Sequence, residues 1–351
     1  MATRSPFDPF IFHRSALASC LPLALLLPAA AFAAPPPAPV PSPGFTITTF
    51  AGPLAGSTAP DSIAVVGSSV WVAYGNNGNP DGTNGAKSQI VEYSSAGKVK
   101  RNLTVTGHND GLRLEPTTHQ LWALQNEDAN PNLVVIDPTT GVTVRYTFAD
   151  KPPHGGGYDD IVFGKGAALL SASHPTLDGK GNSIGPSIVS AVLVAANHTV
   201  VVTPVLSGTP LALNIPFGTV SRLNLTDPDS MILTPTGEVL LDDQGDGQLV
   251  FVVPSPNANL RVLPLLGTVQ VDDTVFATSR HGVLLVADRG ANTIYAVTTP
   301  VWPLDAAYSA AAAVTTPAFP AYVGQLDLTS GAVVPVVTNL NSPHGMAFVG
   351  F

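Results

Sequence analysis

The chain has 351 residues, of which 45% are hydrophobic and 11% are charged, less than half the usual charged share of about 25%. Glycine (32 residues) and proline (34 residues) are abundant, which excludes long amphipathic helices and coiled coils. The formal net charge is −9 and no cluster of basic residues is present, so a nucleic acid is not an expected partner. This composition predicts a turn-rich, all-β protein with ample material for a core.

The first 33 residues have the pattern of a secretory signal. Arg4 and Arg14 lie in a mildly basic leader, and the following apolar run ends at Ala31-Phe32-Ala33, which fits the small-x-small cleavage rule. A membrane anchor is the alternative, but two prolines and a short, alanine-rich core argue against it. We therefore expect cleavage before Ala34, with no membrane span in the mature chain.

The only cysteine, Cys20, lies inside this leader, so the mature chain has no disulfide and no thiolate ligand. An exported chain of this size without disulfides indicates a bacterial periplasmic or secreted protein. Residues 34–44 (APPPAPVPSPG) are predicted to form a proline-rich extended linker, and residues 45–351 the folded domain.

One pattern recurs through that domain: an acidic residue, a short apolar strand, a turn and a second apolar strand. Copies begin at Asp61, Asp110, Asp159, Asp229 and Asp272, and a sixth start begins at His344. Three of the five spacings lie between 43 and 49 residues, close to the length of a four-stranded propeller blade. The two longer spacings contain insertions at 206–226 and 299–320, and the alanine-rich stretch 306–313 is predicted to be a short helix or a loop.

These repeats predict a six-bladed β-propeller. Radial packing buries both faces of each blade and leaves only short edges, as the unbroken apolar runs require. The N-terminal strand at 45–50 and the C-terminal strand at 344–351 are expected to pair in one blade and close the ring. A seventh blade hidden in the insertions is one alternative, and a β-sandwich pair or a β-solenoid is another.

The first strand of each blade lines the central channel of a propeller, so the six repeat starts should converge at one channel mouth. Carboxylates brought together in this way repel one another, and burial increases the cost. A divalent cation removes that cost with oxygen ligands alone. We therefore predict a divalent cation here, Ca²⁺ first and Zn²⁺ or Mn²⁺ as alternatives. The predicted metal ligands are Asp61, Asp159, Asp229 and Asp272. The alternative role of such aspartates is to cap turns by accepting backbone N–H groups.

Other polar residues near the predicted channel mouth are candidates for catalysis and substrate binding. His344 takes the place of an aspartate in the ring and can act as a proton-transfer group near neutral pH. Asp110 is a second proton-transfer candidate, and Asp229 joins both as a predicted catalytic residue. Glu127, after a second strand, and His108, before a first strand, are predicted to line the substrate site.

The blade starts resemble those of the gluconolactonase/regucalcin family of six-bladed propellers. HNDGLRLEP at 108–116 is similar to that family's Arg-x-Asn-Asp-Gly start, and PDSMILTPTGEVLLDD at 228–243 to its Pro-Asp-Gly-Met start. The resemblance implies that Asp229 is a metal ligand, that Asn109 binds substrate, and that Asp159 replaces an asparagine ligand. The family's first ligand is a glutamate where this chain has Asp61, and the family's substrate arginine is absent. Similar short motifs occur in non-enzymatic NHL-like propellers.

Two functions follow as hypotheses. The first is an exported, metal-dependent hydrolase of a lactone-like ester. The second is a non-catalytic propeller that binds a small molecule, glycan or peptide on its loop-rich face. A monomer is expected in either case.

Overall fold

The computed structural model describes residues 38–351 except Lys165, 254–259, Thr268 and Thr316, so the predicted signal and the start of the linker lie outside the described residues. The regular structure of these residues is β-strand apart from one 3₁₀ turn at Gln244–Asp246, which confirms the all-β prediction. Within the described part of the chain, no helix is long and apolar enough to cross a bilayer.

The described residues begin with two short strands that join sheets built by the far end of the chain. They are β1 (Val40–Pro41) and β2 (Thr46–Ala51). Although the sequence places Val40 in the linker, it lies beside Thr338 in an antiparallel pair.

Four consecutive antiparallel strands then form the first sheet. They are β3 (Pro60–Val66), β4 (Ser69–Tyr74), β5 (Lys87–Ser94) and β6 (Val99–Thr106).

The next eight strands form two similar antiparallel sets joined at their outer edges. The first set is β7 (Asn109–Leu114), β8 (Leu121–Gln125), β9 (Asn132–Ile136) and β10 (Thr143–Phe148). The second set is β11 (Ile161–Gly164), β12 (Ala167–Ser171), β13 (Pro186–Val194) and β14 (Thr199–Ser207). A short parallel pairing of β10 with β14 makes one eight-stranded sheet.

The predicted insertion at 206–226 contains a hairpin on the outer edge of the following sheet. The hairpin is β15 (Leu211–Asn214) and β16 (Val220–Arg222). The sheet itself is β17 (Pro228–Leu233), β18 (Val239–Asp243), β19 (Gln248–Val252) and β20 (Arg261–Pro264). Strand β15 pairs in parallel with β20, which gives six strands in all.

The last two sheets are interleaved along the chain. Their strands are β21 (Val271–Phe276), β22 (Gly282–Asp288), β23 (Thr293–Thr298), β24 (Ala307–Ala311), β27 (Ala321–Leu326), β28 (Val333–Leu340) and β29 (Pro343–Gly350). A two-stranded hairpin, β25 (Val314–Thr315) and β26 (Ala318–Phe319), follows β24. One sheet has the order β21-β24-β27-β28-β1, and the other has the order β29-β22-β23-β2.

This part of the structure differs from the sequence prediction in three ways. The strand and return strand that start at Asp272 do not form a hairpin, because β21 pairs with β24 and β22 with β29. The stretch 306–313, predicted as helix or loop, contains β24, whose five residues are all buried. Strands β2 and β29 lie at opposite edges of one sheet and are not paired with each other in the described residues.

Each set has one edge strand that contacts the edge strands of the two neighbouring sets, and these six inner strands form a closed cycle. The cyclic order is β3, β7, β11, β17, β21 and β29, with β29 returning to β3. Apolar clusters fill the spaces between neighbouring sheets; one, for example, joins Trp71 of β4 to Leu121 of β8. Both faces of each sheet are therefore covered, which explains why the strand sequences lack polar alternation.

Trp302 links the two interleaved sheets. Its ring is fully buried and makes edge contacts with Phe45, Tyr308 and Phe348, while its Nε1–H donates to the Gly282 carbonyl at 3.0 Å. This side chain lies on the connection from β23 to β24, where the chain passes from one sheet back to the other.

We expect Trp302→Ala to lower the free energy of unfolding by about 3–5 kcal/mol, because it leaves a cavity among aromatic rings and an unpaired carbonyl. Urea denaturation followed by circular dichroism measures the change. Phe217→Ala is the control, since Phe217 is 73% exposed and its loss should cost about 0.5 kcal/mol or less. Equal unfolding midpoints for the two variants would contradict the role of Trp302.

Candidate metal centre

A break in strand pairing recurs near the start of the inner strands. The pairing of β3 skips Asp61 and Ser62, that of β7 skips Asp110 and Gly111, and that of β17 skips Asp229 and Ser230. Strand β21 has the same break at 272–273, and β29 has it at 344–345. A bulge of this kind bends the strand and redirects its side chains, so the repeat start is also the point where each strand leaves the regular ladder.

Five of the six repeat starts lie at these bulges and the sixth, Asp159, lies just before β11; all six surround one cavity of about 150 Å³. The residues shared by the repeat and the cavity wall are Asp61, Asp110, Asp159, Asp229, Asp272 and His344. The structure therefore brings together the residues that the spacing placed at one channel mouth. Glu127, in the loop after β8, also lines the cavity.

The carboxyl groups of Glu127, Asp159 and Asp229 meet at the cavity wall, where His108 is the cationic neighbour of Glu127. Their oxygens lie within 4.8 Å of one another. Burial, with the neighbouring carboxylates adding to it, raises the pKa of Glu127 to about 8. The same two causes raise the pKa values of Asp159 and Asp229 well above the usual range. Gln244 Nε2 donates to Asp229 Oδ2 at 3.0 Å and adds one neutral partner.

Asp242, on β18, adds to this excess of negative charge. It is 2% exposed, and neither of its oxygens has a hydrogen-bond partner among the described residues. Burial, followed by the charges of Asp229 and Asp272, raises the pKa of Asp242 well above its ordinary value.

The opposite side of the cavity is neutralised by two cationic side chains. His344 Nδ1 lies 2.8 Å from Asp272 Oδ2 and 3.8 Å from Asp61 Oδ1, and Arg289 Nη1 lies 3.6 Å from Asp61 Oδ2. Burial alone would lower the pKa of His344, but Asp272 and Asp61 outweigh it and raise the pKa to about 10. The oxygens and ring nitrogen of this group are also close enough to hold a metal ion, although the protonated imidazole already supplies a positive charge.

The four predicted metal ligands therefore fall into two groups. Asp159 and Asp229 lie together with Glu127, whereas Asp61 and Asp272 lie with His344. Asn109, predicted to bind substrate, is fully buried and does not line the cavity; its Nδ2 donates to the Leu124 carbonyl. His108 is also fully buried, and its Nε2 lies 3.0 Å from Asp110 Oδ1.

The sequence analysis did not identify Arg113, which joins inner strands across the channel. Its Nη2 lies 2.6 Å from Asp160 Oδ2 and 3.6 Å from Asp273 Oδ1. Those carboxylates also accept the backbone N–H groups of Met231 and Met346, at 2.9 and 2.7 Å. The one signal in the sequence was a basic residue inside an otherwise apolar first strand, LRL after the Asp-Gly pair.

Comparisons with known proteins give no family assignment. No protein-family model matches the sequence, and no curated protein matches it. Similar solved structures include a protein of unknown function from Bacteroides caccae, with 12% identity and a TM-score of 0.48 over 83% of this chain and 86% of that chain. They also include a candidate gluconolactonase, with 13% identity and a TM-score of 0.45 over 88% of this chain and 90% of that one. A Staphylococcus aureus virginiamycin B lyase with quinupristin has 12% identity and a TM-score of 0.36 over 72% and 99% of the two chains. At identities this low, the similarities assign no activity to the chain.

The raised pKa values make the stability of the metal-free protein fall as pH rises from 6.5 to 9. Burial holds the proton of Glu127 up to a pKa of about 8 and that of Asp273 up to about 7, whereas the unfolded chain has lost both by pH 6.5. His108, with a pKa of about 9, and His344, with about 10, stay protonated after their unfolded counterparts have lost the proton. All four groups therefore favour the native state less as pH rises.

Thermal unfolding in EDTA at pH 6.5, 7.5, 8.5 and 9 tests this expectation. The midpoint should drop by several degrees across the series. His154, whose pKa burial lowers to about 4, opposes the trend only slightly, because its unfolded counterpart loses its remaining proton between pH 6.5 and about 7.5. A midpoint that stays constant or rises would contradict the charge distribution described above.

Arg113→Met should destabilise the fold by about 3–5 kcal/mol, because it leaves Asp160 and Asp273 buried without their cation. The free energy of unfolding in urea measures this cost. Arg222→Met is the matched control, since Arg222 is exposed and donates only to the Thr209 carbonyl. A cost for Arg113→Met no larger than that of the control would refute the bridging role.

Proposed function

We propose that the chain is an exported, six-bladed β-propeller that holds a divalent cation at one channel mouth and hydrolyses a small ester or lactone. The closed cycle of inner strands supports six blades, with the eight-stranded sheet counted as two. The observation that carries the function is the group Glu127, Asp159 and Asp229, three carboxyls whose oxygens lie within 4.8 Å of one another and whose pKa values are raised by burial and by the neighbouring carboxylates.

The donor set fits a divalent cation. Three carboxyl oxygens are hard ligands of the kind that Ca²⁺ prefers, and Mn²⁺ also accepts them. Without a cation, Asp159 shares a hydrogen bond with Asp229 and another with Glu127, so the group must retain protons. Replacing those protons with an ion removes the repulsion that keeps the pKa values high. When bound, the ion supplies Lewis-acid polarisation of an ester carbonyl.

The residues around this group define what the chain itself contributes. His344 is protonated at neutral pH and lines the cavity, so it is the proton donor for a leaving alkoxide, and Asp272 holds its Nδ1 proton in place at 2.8 Å. Arg289 faces the same cavity and can donate to a substrate oxygen. The volume of about 150 Å³ limits the reacting group to a small one.

A non-catalytic binding propeller is the second candidate, and the position of Asn109 favours it. The resemblance implies that this side chain binds substrate, but its amide is buried beneath the cavity wall and donates to Leu124. Such a protein would bind a small molecule, glycan or peptide on the loop face without catalysing a reaction.

Cation binding is tested by thermal unfolding of the purified protein with EDTA and then with excess Ca²⁺, Mn²⁺ or Zn²⁺. An ion that binds only the native state should raise the midpoint. Because the ion replaces protons on Glu127, Asp159 and Asp229, its apparent affinity should increase from pH 6 to pH 8. No shift with any of these ions would refute the cation site.

Hydrolysis is tested with a panel of small lactones and aryl esters. Asp229→Asn should weaken cation affinity and lower kcat/KM by about 100-fold or more, because a ligand is removed from the ion. The control is Asp150→Asn, which changes an exposed carboxylate outside the cavity. A cation-stabilised protein that is inactive on the whole panel supports the binding propeller instead.

A further inference from the structure

A second group of possible metal ligands shares Glu127 with the first. His108, Asp110 and Glu127 each offer a ligand atom, and these atoms lie within 4.8 Å of one another. Glu127 also belongs to the group with Asp159 and Asp229. A carboxylate common to two ligand sets is the arrangement found where two ions lie about 3.5–4 Å apart.

The buried side chains of this second group lack the hydrogen bonds that their burial requires. His108 is fully buried, and neither ring nitrogen makes a regular hydrogen bond within the described part of the chain. Asp110 is 7% exposed, lines the cavity, and has an Oδ2 atom without a partner there. Unpaired polar atoms at such depth are costly unless a ligand satisfies them.

The separation between these two side chains is compatible with shared coordination of one ion. His108 Nε2 and Asp110 Oδ1 are 3.0 Å apart, yet their alignment does not satisfy either nitrogen. Ligand atoms around a tetrahedral ion bound at about 2.1 Å lie about 3.4 Å apart, close to that separation.

The backbone around His108 is shaped to admit the imidazole ring. A side chain at Gly75 would meet His108 Cε1 at 2.6 Å, so only glycine leaves room for the ring in this position. The Cε1 atom of the ring faces Gly75, Nδ1 lies toward Gly78, and Nε2 lies toward Asp110. The ring is therefore held with one nitrogen toward the carboxylates.

We propose that the channel mouth holds two divalent ions bridged by Glu127, the second ligated by His108 and Asp110. This inference rests on the proposed cation site at Glu127, Asp159 and Asp229. The mixed nitrogen and oxygen donors of the second site favour Mn²⁺ or Zn²⁺ over Ca²⁺, whereas the carboxylate-only group accepts Ca²⁺ or Mn²⁺. We therefore expect the protein to bind two Mn²⁺ ions but only one Ca²⁺ ion.

Native mass spectrometry of the protein loaded with Mn²⁺ measures the stoichiometry. Wild type should bind two ions, His108→Ala one, and Asp229→Asn one. The control is His174→Ala, which changes a histidine with a 68% exposed side chain beside Asp128 and should still bind two. Circular dichroism establishes that each variant is folded.

Electron paramagnetic resonance of the Mn²⁺-loaded wild type supplies a measurement that needs no variant. Two ions bridged by one carboxylate should give an exchange-coupled spectrum, and Glu127→Gln should convert it to the hyperfine pattern of isolated Mn²⁺. If wild type binds one ion and His108→Ala still binds one, the second site is wrong and the first site stands. No bound ion in wild type would overturn the proposed cation site as well.

Discussion

The bridge from Arg113 to Asp160 and Asp273 is the interaction on which the centre of the molecule depends. Arg113 is on β7, whereas its two partners belong to the starts of β11 and β21. Each partner carboxylate also accepts a backbone N–H from the following inner strand, at Met231 or Met346. One guanidinium thus connects five of the six inner strands, and its charge offsets two of the carboxylates that the bulges crowd together.

The remaining charges are distributed unevenly, and this unevenness gives the cavity its chemistry. On one side, His344 and Arg289 supply positive charge next to Asp61 and Asp272. On the other, Glu127 faces carboxyls that hold protons only because burial and repulsion raise their pKa values. A cation bound on the second side would replace protons, whereas one bound on the first side would add positive charge beside His344 and Arg289.

The sequence predicted the recurring features better than the departures from them. The acidic repeat starts and the apolar strands after them predicted an all-β chain whose ring residues meet, because those features repeat at a regular spacing. It did not predict that β21 and β22 would belong to different sheets, since a strand-turn-strand pattern is the same in either case. The alanine-rich β24 was missed because small residues suit a tightly packed interior strand as well as a helix. The two partners of Arg113, Asp160 and Asp273, lie on other strands far away in the sequence, so no local sequence pattern predicts these ion pairs.

The two residues of each bulge have different tasks, and this explains why the repeat begins with a pair. The first residue faces the cavity, as Asp61 and His344 do. The second lines the cavity in most repeats and also contacts the neighbouring inner strand. Where the strands are closest the second residue is glycine: a side chain at Gly345 would meet the Asp61 carbonyl at 2.1 Å. Where there is more room it is polar and bonds across, as Asp273 does by accepting the Met346 N–H. The second residues therefore contribute contacts between inner strands, whereas the first residue is aspartate in five repeats and histidine in the sixth.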